Sequence, residues 1–276
     1  MPIDPPLAFL LDFDGVLGLA GRAIPGSPEA VAELERRRIP FRVITNTSLS
    51  SRATLARRVA ERGASIPTEN WITALSVSAA WTARTLPGEP LFVVATDDAK
   101  TEFAGQSLLT FDEATAPDAR AAAVVIGDAA SELSWANVNA AFGLVHRGSR
   151  LIAMHRNKWW ITTAGPTIDS GAYVAAIEYA TGVRATVIGK PSRICFSEAV
   201  RSLRAELPGL RRSEIVMVGD DIATDVGGGR RAGLRTAFVL SGKHGEAELA
   251  AARRRGRAVP DAVAPSLGVL VADLLR

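Results

Sequence analysis

The sequence predicts an α/β protein: a Rossmann-like, doubly wound parallel-sheet core into which a second α/β domain is inserted. Three observations carry this. Near the N-terminus, short apolar runs alternate with helically spaced segments in the order strand, helix, strand, helix, the rhythm of parallel strands joined by crossover helices. Over roughly 78–180 the spacing changes grain and supplies strands and helices enough for a core of its own. From Val187 the first rhythm returns. At 276 residues the chain is long enough for both parts. The expected division is 1–77 with 181–276 for the core and 78–180 for the insertion.

Each element has a local cause. Residues 7–11 form an apolar run that stops at Asp12-Phe13-Asp14-Gly15, a buried strand entering a loop. Residues 28–38 carry Ala30, Val31 and Leu34 at helical spacing, with Ser27 as the expected N-cap and Pro28 at the first helical position. Residues 41–44 are a second strand, ending in Thr45-Asn46-Thr47-Ser48, and 52–62 a helix stopped by Gly63. In the insertion, 91–95, 122–126 and 151–154 read as strands. Helices are expected at 135–145 and 174–179, the latter closed by Thr181-Gly182. Beyond it, 215–218 is a strand ending in Gly219-Asp220-Asp221, 236–240 a further strand and 267–275 a final helix.

Composition excludes several classes. With 47% apolar and 22% charged residues the chain is globular, neither disordered nor collagen-like. A formal net charge of +3 is too small to argue for nucleic acid. The one dense basic run, Arg253, Arg254, Arg255 and Arg257, reads as a solvated helix end. No stretch reaches the ~18 apolar residues of a spanning helix. Met1-Pro2-Ile3-Asp4-Pro5 has no basic stretch before an apolar one, so no secretory signal and a cytoplasmic location are expected. The single cysteine, Cys195, cannot form an internal disulfide and reads as a small buried hydrophobe.

Three polar clusters follow directly on apolar strands: Asp12/Asp14, Thr45/Asn46 and Asp220/Asp221/Asp225. In an open parallel sheet the loops at the carboxyl ends of the strands gather in one crevice, where ligands bind. Any one cluster is equally well a set of caps and turn formers; the three together point to a single site. Converging carboxylates repel unless a cation sits among them, and a hard dication with oxygen ligands fits, Mg²⁺ by default. Phosphoryl transfer is the chemistry such a set suggests: one carboxylate attacks phosphorus, and a second moves protons for the leaving oxygen and the water. The phosphoryl charge also needs donors, a role that suits Lys190 in Gly189-Lys190-Pro191, one of four lysines in the chain.

Asp12-Phe13-Asp14-Gly15-Val16-Leu17, Thr45-Asn46, Gly189-Lys190-Pro191 and Gly219-Asp220-Asp221-Ile222-Ala223-Thr224-Asp225 resemble, in order, the four motifs of the haloacid dehalogenase superfamily of phosphatases. The insertion between the second and third motifs resembles the NagD-type branch with its large α/β cap. Within that branch the chain is most similar to the phospholysine phosphohistidine inorganic pyrophosphate phosphatase group and its sister, the haloacid dehalogenase-like domain-containing hydrolases. The likeness extends into the insertion at 121–127, 151–155 and 175–181. The resemblance implies Asp12 as nucleophile and metal ligand, and Asp14 as general acid/base with its backbone carbonyl on the metal. It implies Thr45 and Asn46 as phosphoryl ligands, and Lys190 as the cation that neutralises nucleophile and phosphate. Asp220 would be the side-chain metal ligand, with Asp221 and Asp225 holding its waters or positioning Lys190. A homodimer paired through the cap is also implied.

Two positions depart from the relatives. Val16 stands where many carry Thr. Ile168-Asp169-Ser170-Gly171 replaces a turn of the Leu-Gly-Pro-Gly kind. Asp169, together with His155 and Arg156, is therefore a candidate specificity loop, with Lys158, Trp159 and Trp160 beside it either as an apolar wall or as cap packing. The expected function is Mg²⁺-dependent hydrolysis of a small phosphorylated metabolite, a phosphomonoester, phosphoramidate or pyrophosphate, through an aspartyl-phosphate. The alternatives are a phosphotransferase or phosphomutase, and a non-catalytic phospho-ligand binding protein. Dehalogenation is disfavoured because it needs neither metal nor the second acidic cluster.

Overall fold

The computed structural model describes residues 5–19, 21–61, 63, 65–162, 165–256 and 259–276. β1 (Ala8–Leu11) leads into a short hairpin, β2 (Gly18–Leu19) and β3 (Arg22–Ala23). Then come α1 (Ser27–Arg36), β4 (Phe41–Thr45), α2 (Arg52–Ala60), β5 (Trp71–Thr73) and α3 (Ala74–Thr85). The middle of the chain holds β6 (Leu91–Val94), α4 (Asp97–Lys100), α5 (Phe111–Thr115), β7 (Ala123–Ile126), α6 (Trp135–His146) and β8 (Arg150–Ala153). β9 (Trp159–Thr162), β10 (Gly165–Ile168), α7 (Ser170–Thr181) and β11 (Thr186–Val187) follow. The last part comprises α8 (Arg193–Glu206), β12 (Ile215–Gly219), a π-type turn (Ile222–Val226), α9 (Gly227–Arg231), β13 (Arg235–Val239), α10 (Glu246–Arg254), β14 (Ala262–Ala264) and α11 (Leu267–Leu274).

These elements form two compact units. The first comprises Met1–Thr45, Leu55–Ile72 and Lys190–Arg276; the second comprises Asn46–Thr54 and Thr73–Gly189. The first is built on a six-stranded sheet in the order β14-β13-β12-β1-β4-β5. β1 runs parallel to both neighbours, with Phe9 opposite Val216 on one side and Phe41 on the other. The chain winds outward from β1 to β5, then returns to the other side of β1 as β12 and winds outward again. The strand order thus reverses between β1 and β12, where such a sheet opens its ligand crevice. Every residue of β1 and β12 is buried, which explains why they read as unbroken apolar runs rather than alternating ones. Phe9, Leu11, Val43, Val216, Val218 and Leu270 belong to the core of this unit, each such side chain contributing about 1.5–3 kcal/mol by leaving water.

α1 buries Ala30, Val31 and Leu34 as its spacing predicts, but its N-cap is Gly26, at φ 83°, and not Ser27. Ser27 is taken into the core instead, where its hydroxyl donates to the Val16 carbonyl at 2.6 Å. Cys195 is buried on α8 along with Phe196, Ala199, Val200 and Leu203. α10 ends in the exposed Arg253 and Arg254, a solvated basic helix end, with Arg257 outside the described residues.

The second unit has a four-stranded parallel sheet in the order β11-β8-β7-β6 and an antiparallel hairpin, β9–β10. Val94, Ile126, Leu144, Leu151, Val174 and Ile177 lie in a separate core of its own. α7 is set by its two ends: Asp169 caps the first turn, and Gly182, at φ 73°, closes the last. Among the described residues, no helix is long and apolar enough to cross a membrane.

Candidate active site

Asp12 is the residue after β1 and extends it by one bond, its N–H donating to the Val218 carbonyl of β12 at 2.9 Å. The residue is 7% exposed. One oxygen accepts from the Phe13 N–H at 2.7 Å and lies 2.6 Å from Lys190 Nζ. Lys190 also donates to Asp225 Oδ1 at 2.8 Å, so the ammonium bridges two buried carboxylates. Thr45, the last residue of the neighbouring β4, is buried as well. Asp14 follows in the same loop, and Gly15 turns the chain at φ 79°. A Cβ at Gly15 would meet Asp220 Oδ2 at 2.3 Å, so glycine is required there both by conformation and by space.

Asp220 follows β12. Asp221 caps the π-type turn, its Oδ1 accepting from Ala223 N–H at 2.7 Å and Thr224 N–H at 2.9 Å. Asp225, inside that turn, accepts from the Asp221 N–H at 3.1 Å. A π-type turn at this point lets Asp221 and Asp225 serve different partners from one short segment. The sequence-predicted Asp12, Asp14, Lys190, Asp220, Asp221 and Asp225 therefore all belong to the first unit. Oxygens of Asp12, Asp220 and Asp225 lie within 4.8 Å of one another, all three residues buried. That donor set, hard oxygens and no sulfur or imidazole, fits a small dication such as Mg²⁺.

The electrostatics follow from burial. Loss of water and the neighbouring Asp225 push the Asp12 carboxyl well above the usual range, against the pull of Lys190. Asp14 is raised chiefly by burial, with Lys190 and Lys243 opposing. Asp220 is raised by burial too, although the Lys243 N–H opposes it. Burial works against the charge on Lys190, yet Asp12 and Asp225 outweigh it and hold the ammonium above its ordinary value.

Sequence reasoning missed Ser241, Gly242 and Lys243. Ser241 donates to the Gly15 carbonyl at 2.7 Å, and the Lys243 N–H donates to Asp220 Oδ2 at 2.7 Å. Lys243 Nζ pairs with Asp221 at 2.6 Å. Although burial raises Asp221, that ammonium and the two turn N–H groups lower it to about 2. A Cβ on Gly242 would fall 1.9 Å from Asp220 Oδ2. The signal was present: β13 runs into Ser-Gly-Lys as β1 runs into Asp-Phe-Asp.

Asn46 is the first residue of the second unit, and His155, Arg156 and Asp169 belong to that unit too. His155 and Asp169 are 2% and 3% exposed, with His155 Nε2 3.8 Å from Asp169 Oδ1. Arg156 is paired with Glu178 at 2.7 Å. Burial lowers the His155 pKa, although Asp169 and Asp128 oppose the shift. Trp159 is 59% exposed; the Trp160 side chain is outside the described ones. Val16 is fully buried in the core of the first unit, which accounts for an apolar residue at that position.

Comparison with known proteins agrees with this geometry. The family described as Haloacid dehalogenase-like hydrolase matches residues 9–108, and a second, HAD-hyrolase-like, matches 187–269. The chain is 35% identical over 240 residues to the phospholysine phosphohistidine inorganic pyrophosphate phosphatase of Homo sapiens, covering 85% of this chain and 83% of that one. Among solved structures it is similar to a p-nitrophenyl phosphatase from Archaeoglobus fulgidus, with TM-score 0.85 and 27% identity over 98% of this chain and 99% of that one. NagD of the E. coli K-12 strain superposes with TM-score 0.82 and 26% identity over 97% and 98%.

Proposed function

The chain belongs to the NagD-type haloacid dehalogenase-like hydrolases and is a phosphoric-ester hydrolase, and on that premise we propose that it hydrolyses a small phosphorylated metabolite through an aspartyl-phosphate on Asp12. The observation that carries the reading is the bridge Asp12–Lys190–Asp225, beside Asp220, at the strand-order reversal of the sheet. Asp12, Asp220 and the backbone carbonyl of Asp14 would hold Mg²⁺, which when bound neutralises charge on the phosphoryl oxygens and the nucleophile.

In this reading an Asp12 oxygen attacks phosphorus while Asp14, kept protonated more readily by its burial, gives its proton to the departing oxygen. Asp14, now a carboxylate, takes a proton from water, and the hydroxide displaces Asp12 from phosphorus to release inorganic phosphate. Lys190 stays charged throughout because two carboxylates hold it so. Thr45 and Asn46 supply donors to the phosphoryl oxygens, and Asp225 keeps Lys190 aimed. Pairing of two copies through the inserted domain belongs to the same reading and is read out by light scattering as twice the 29.1 kDa chain mass.

The test is phosphate release from phosphomonoesters, phosphoramidates and pyrophosphate, with Mg²⁺ and with EDTA, for wild type and Asp12→Asn. Metal-dependent release abolished by the substitution supports the reading. Equal release by Asp12→Asn overturns it.

A further inference from the structure

Nine residues of the second unit, Asn46–Thr54, are separated from the rest of it by a stretch that folds with the first unit. They are tied down by the segments that follow three parallel strands. After β6, the Asp98 carboxylate accepts from Ser51 N–H at 2.8 Å, Ser51 Oγ at 2.9 Å and Thr54 Oγ1 at 2.8 Å. Thr96 donates to the Leu49 carbonyl at 2.9 Å, and Glu102 accepts from Arg52 N–H at 2.7 Å. After β7, the Asp128 N–H donates to Ser48 Oγ at 2.8 Å. After β8, His155 Nε2 meets the same oxygen at 3.0 Å.

The histidine is oriented for this task. Its Nδ1 accepts the Asn157 N–H at 3.4 Å, which leaves Nε2 as the protonated nitrogen. Nε2 therefore donates to Ser48 and cannot take its proton, so Ser48–His155–Asp169 is an anchor and not a nucleophilic triad. Two of the four chain crossings between the units are at sequence motifs: Thr45 to Asn46, and Gly189 to Lys190. They meet inside the second unit, where a Cβ on Gly189 would lie 2.6 Å from Asn46 Oδ1 and 2.6 Å from the Met154 carbonyl.

We propose that Asp98 and His155 are positioning residues for Asn46: by fixing Ser48 and Ser51 to the carboxyl edge of the inserted sheet, they set the affinity of the site for the phosphoryl group. The inference rests on the reading that Asn46 is a phosphoryl ligand. A side chain held in place by its supporting shell gives up less freedom on binding, and the loss of that shell is felt in affinity.

The experiment is a double-mutant cycle read as the inhibition constant of inorganic phosphate, with kcat and KM for one phosphomonoester at saturating Mg²⁺. Asp98→Ala and the milder Ser48→Ala are each made in wild type and in Asn46→Ala. In wild type each raises the phosphate inhibition constant, Asp98→Ala by about tenfold, and in the Asn46→Ala background each changes it by less than about twofold, because residues acting through one another are not additive. A role confined to folding stability lowers the active fraction and leaves the inhibition constant in place, and that result overturns the proposal. So does full additivity. If Asn46→Ala alone leaves phosphate inhibition unchanged, the reading of Asn46 falls and takes the proposal with it. If Asn46→Ala weakens phosphate while the cycle is additive, only the positioning role falls.

Discussion

Lys190 Nζ lies 2.8 Å from Asp225 Oδ1 with the two side chains 3% and 0% exposed, and the same ammonium is 2.6 Å from Asp12. One cation thus compensates two carboxylates that would otherwise face each other in a poorly solvated crevice. Removing it leaves uncompensated buried charge, which is far more costly than the net worth of the intact pair. Lys190→Met is expected to abolish turnover and to destabilise the EDTA-treated protein by about 3–5 kcal/mol, the scale for breaking a buried pair. Urea unfolding checks this, and Mg²⁺ should narrow the gap by restoring positive charge. A variant as stable as wild type in EDTA would show that the carboxylates are accommodated without Lys190.

Gly242 bears on Asp220 in a different way. No unusual backbone angle requires glycine there, but an added methyl would lie 1.9 Å from Asp220 Oδ2 and 2.4 Å from its Cβ. Gly242→Ala must displace Asp220 or the loop. Displaced supporting residues around a metal cost about 10–100-fold in affinity. The Mg²⁺ concentration for half-maximal phosphate release should rise accordingly, with the circular dichroism spectrum unchanged. An unshifted Mg²⁺ dependence argues that Asp220 does not hold the ion.

Much of this site was legible because strand ends are legible. An apolar run that stops at polar residues marks both the strand and the loop, and three such stops point to Asp12, Thr45 and Asp220, while Lys190 stands out by its Gly-Lys-Pro setting in a chain with four lysines. What was not legible depends on tertiary contacts. α8 is the exception, since its buried stripe of Cys195, Phe196, Ala199, Val200 and Leu203 lies at helical spacing in the sequence itself. α3 buries Ala74, Leu75, Val77, Ser78, Ala79 and Thr82, too much of its circumference to show a stripe. Ser27 looked like a cap because it precedes Pro28, yet Gly26 reaches the left-handed conformation and frees Ser27 for Val16. Nothing local assigns Asn46–Thr54 to the second unit, since Asp98, Asp128 and His155 lie 44 to 107 positions away in sequence.

Lys243 holds Asp221 in its charged form. The depressed carboxyl, at about 2, adds stability that is fully present above the unfolded value near 3.8 and is lost as pH falls through about 2. Lys243→Met removes the ammonium and leaves burial to act alone, so Asp221 moves up and that stability is lost at a higher pH. Acid unfolding in EDTA should therefore begin at higher pH in the variant. The Lys243 side chain is 60% exposed, so the difference should shrink in molar salt. Superimposable acid transitions at low salt would exclude the pairing as a stabilising contact.

His155 should leave its mark on the other side of neutrality. Burial lowers its pKa below 6.5, while Asp169 and Asp128, the acids that face it, only partly offset the shift. The unfolded chain then binds the proton more readily than the folded one. Stability is undiminished above about pH 6.5 and falls as the solution is acidified, until the lower folded pKa is reached. The slope from one such group is at most about 1.4 kcal/mol per pH unit. His155→Asn removes this contribution and leaves the carboxylates. Urea unfolding of the EDTA-treated proteins at pH 7.5, 6.5 and 5.5 should show wild type losing stability faster than the variant below about 6.5. Parallel curves would mean that the ring is solvated in the folded protein, and with it that the anchor to Ser48 is open rather than closed.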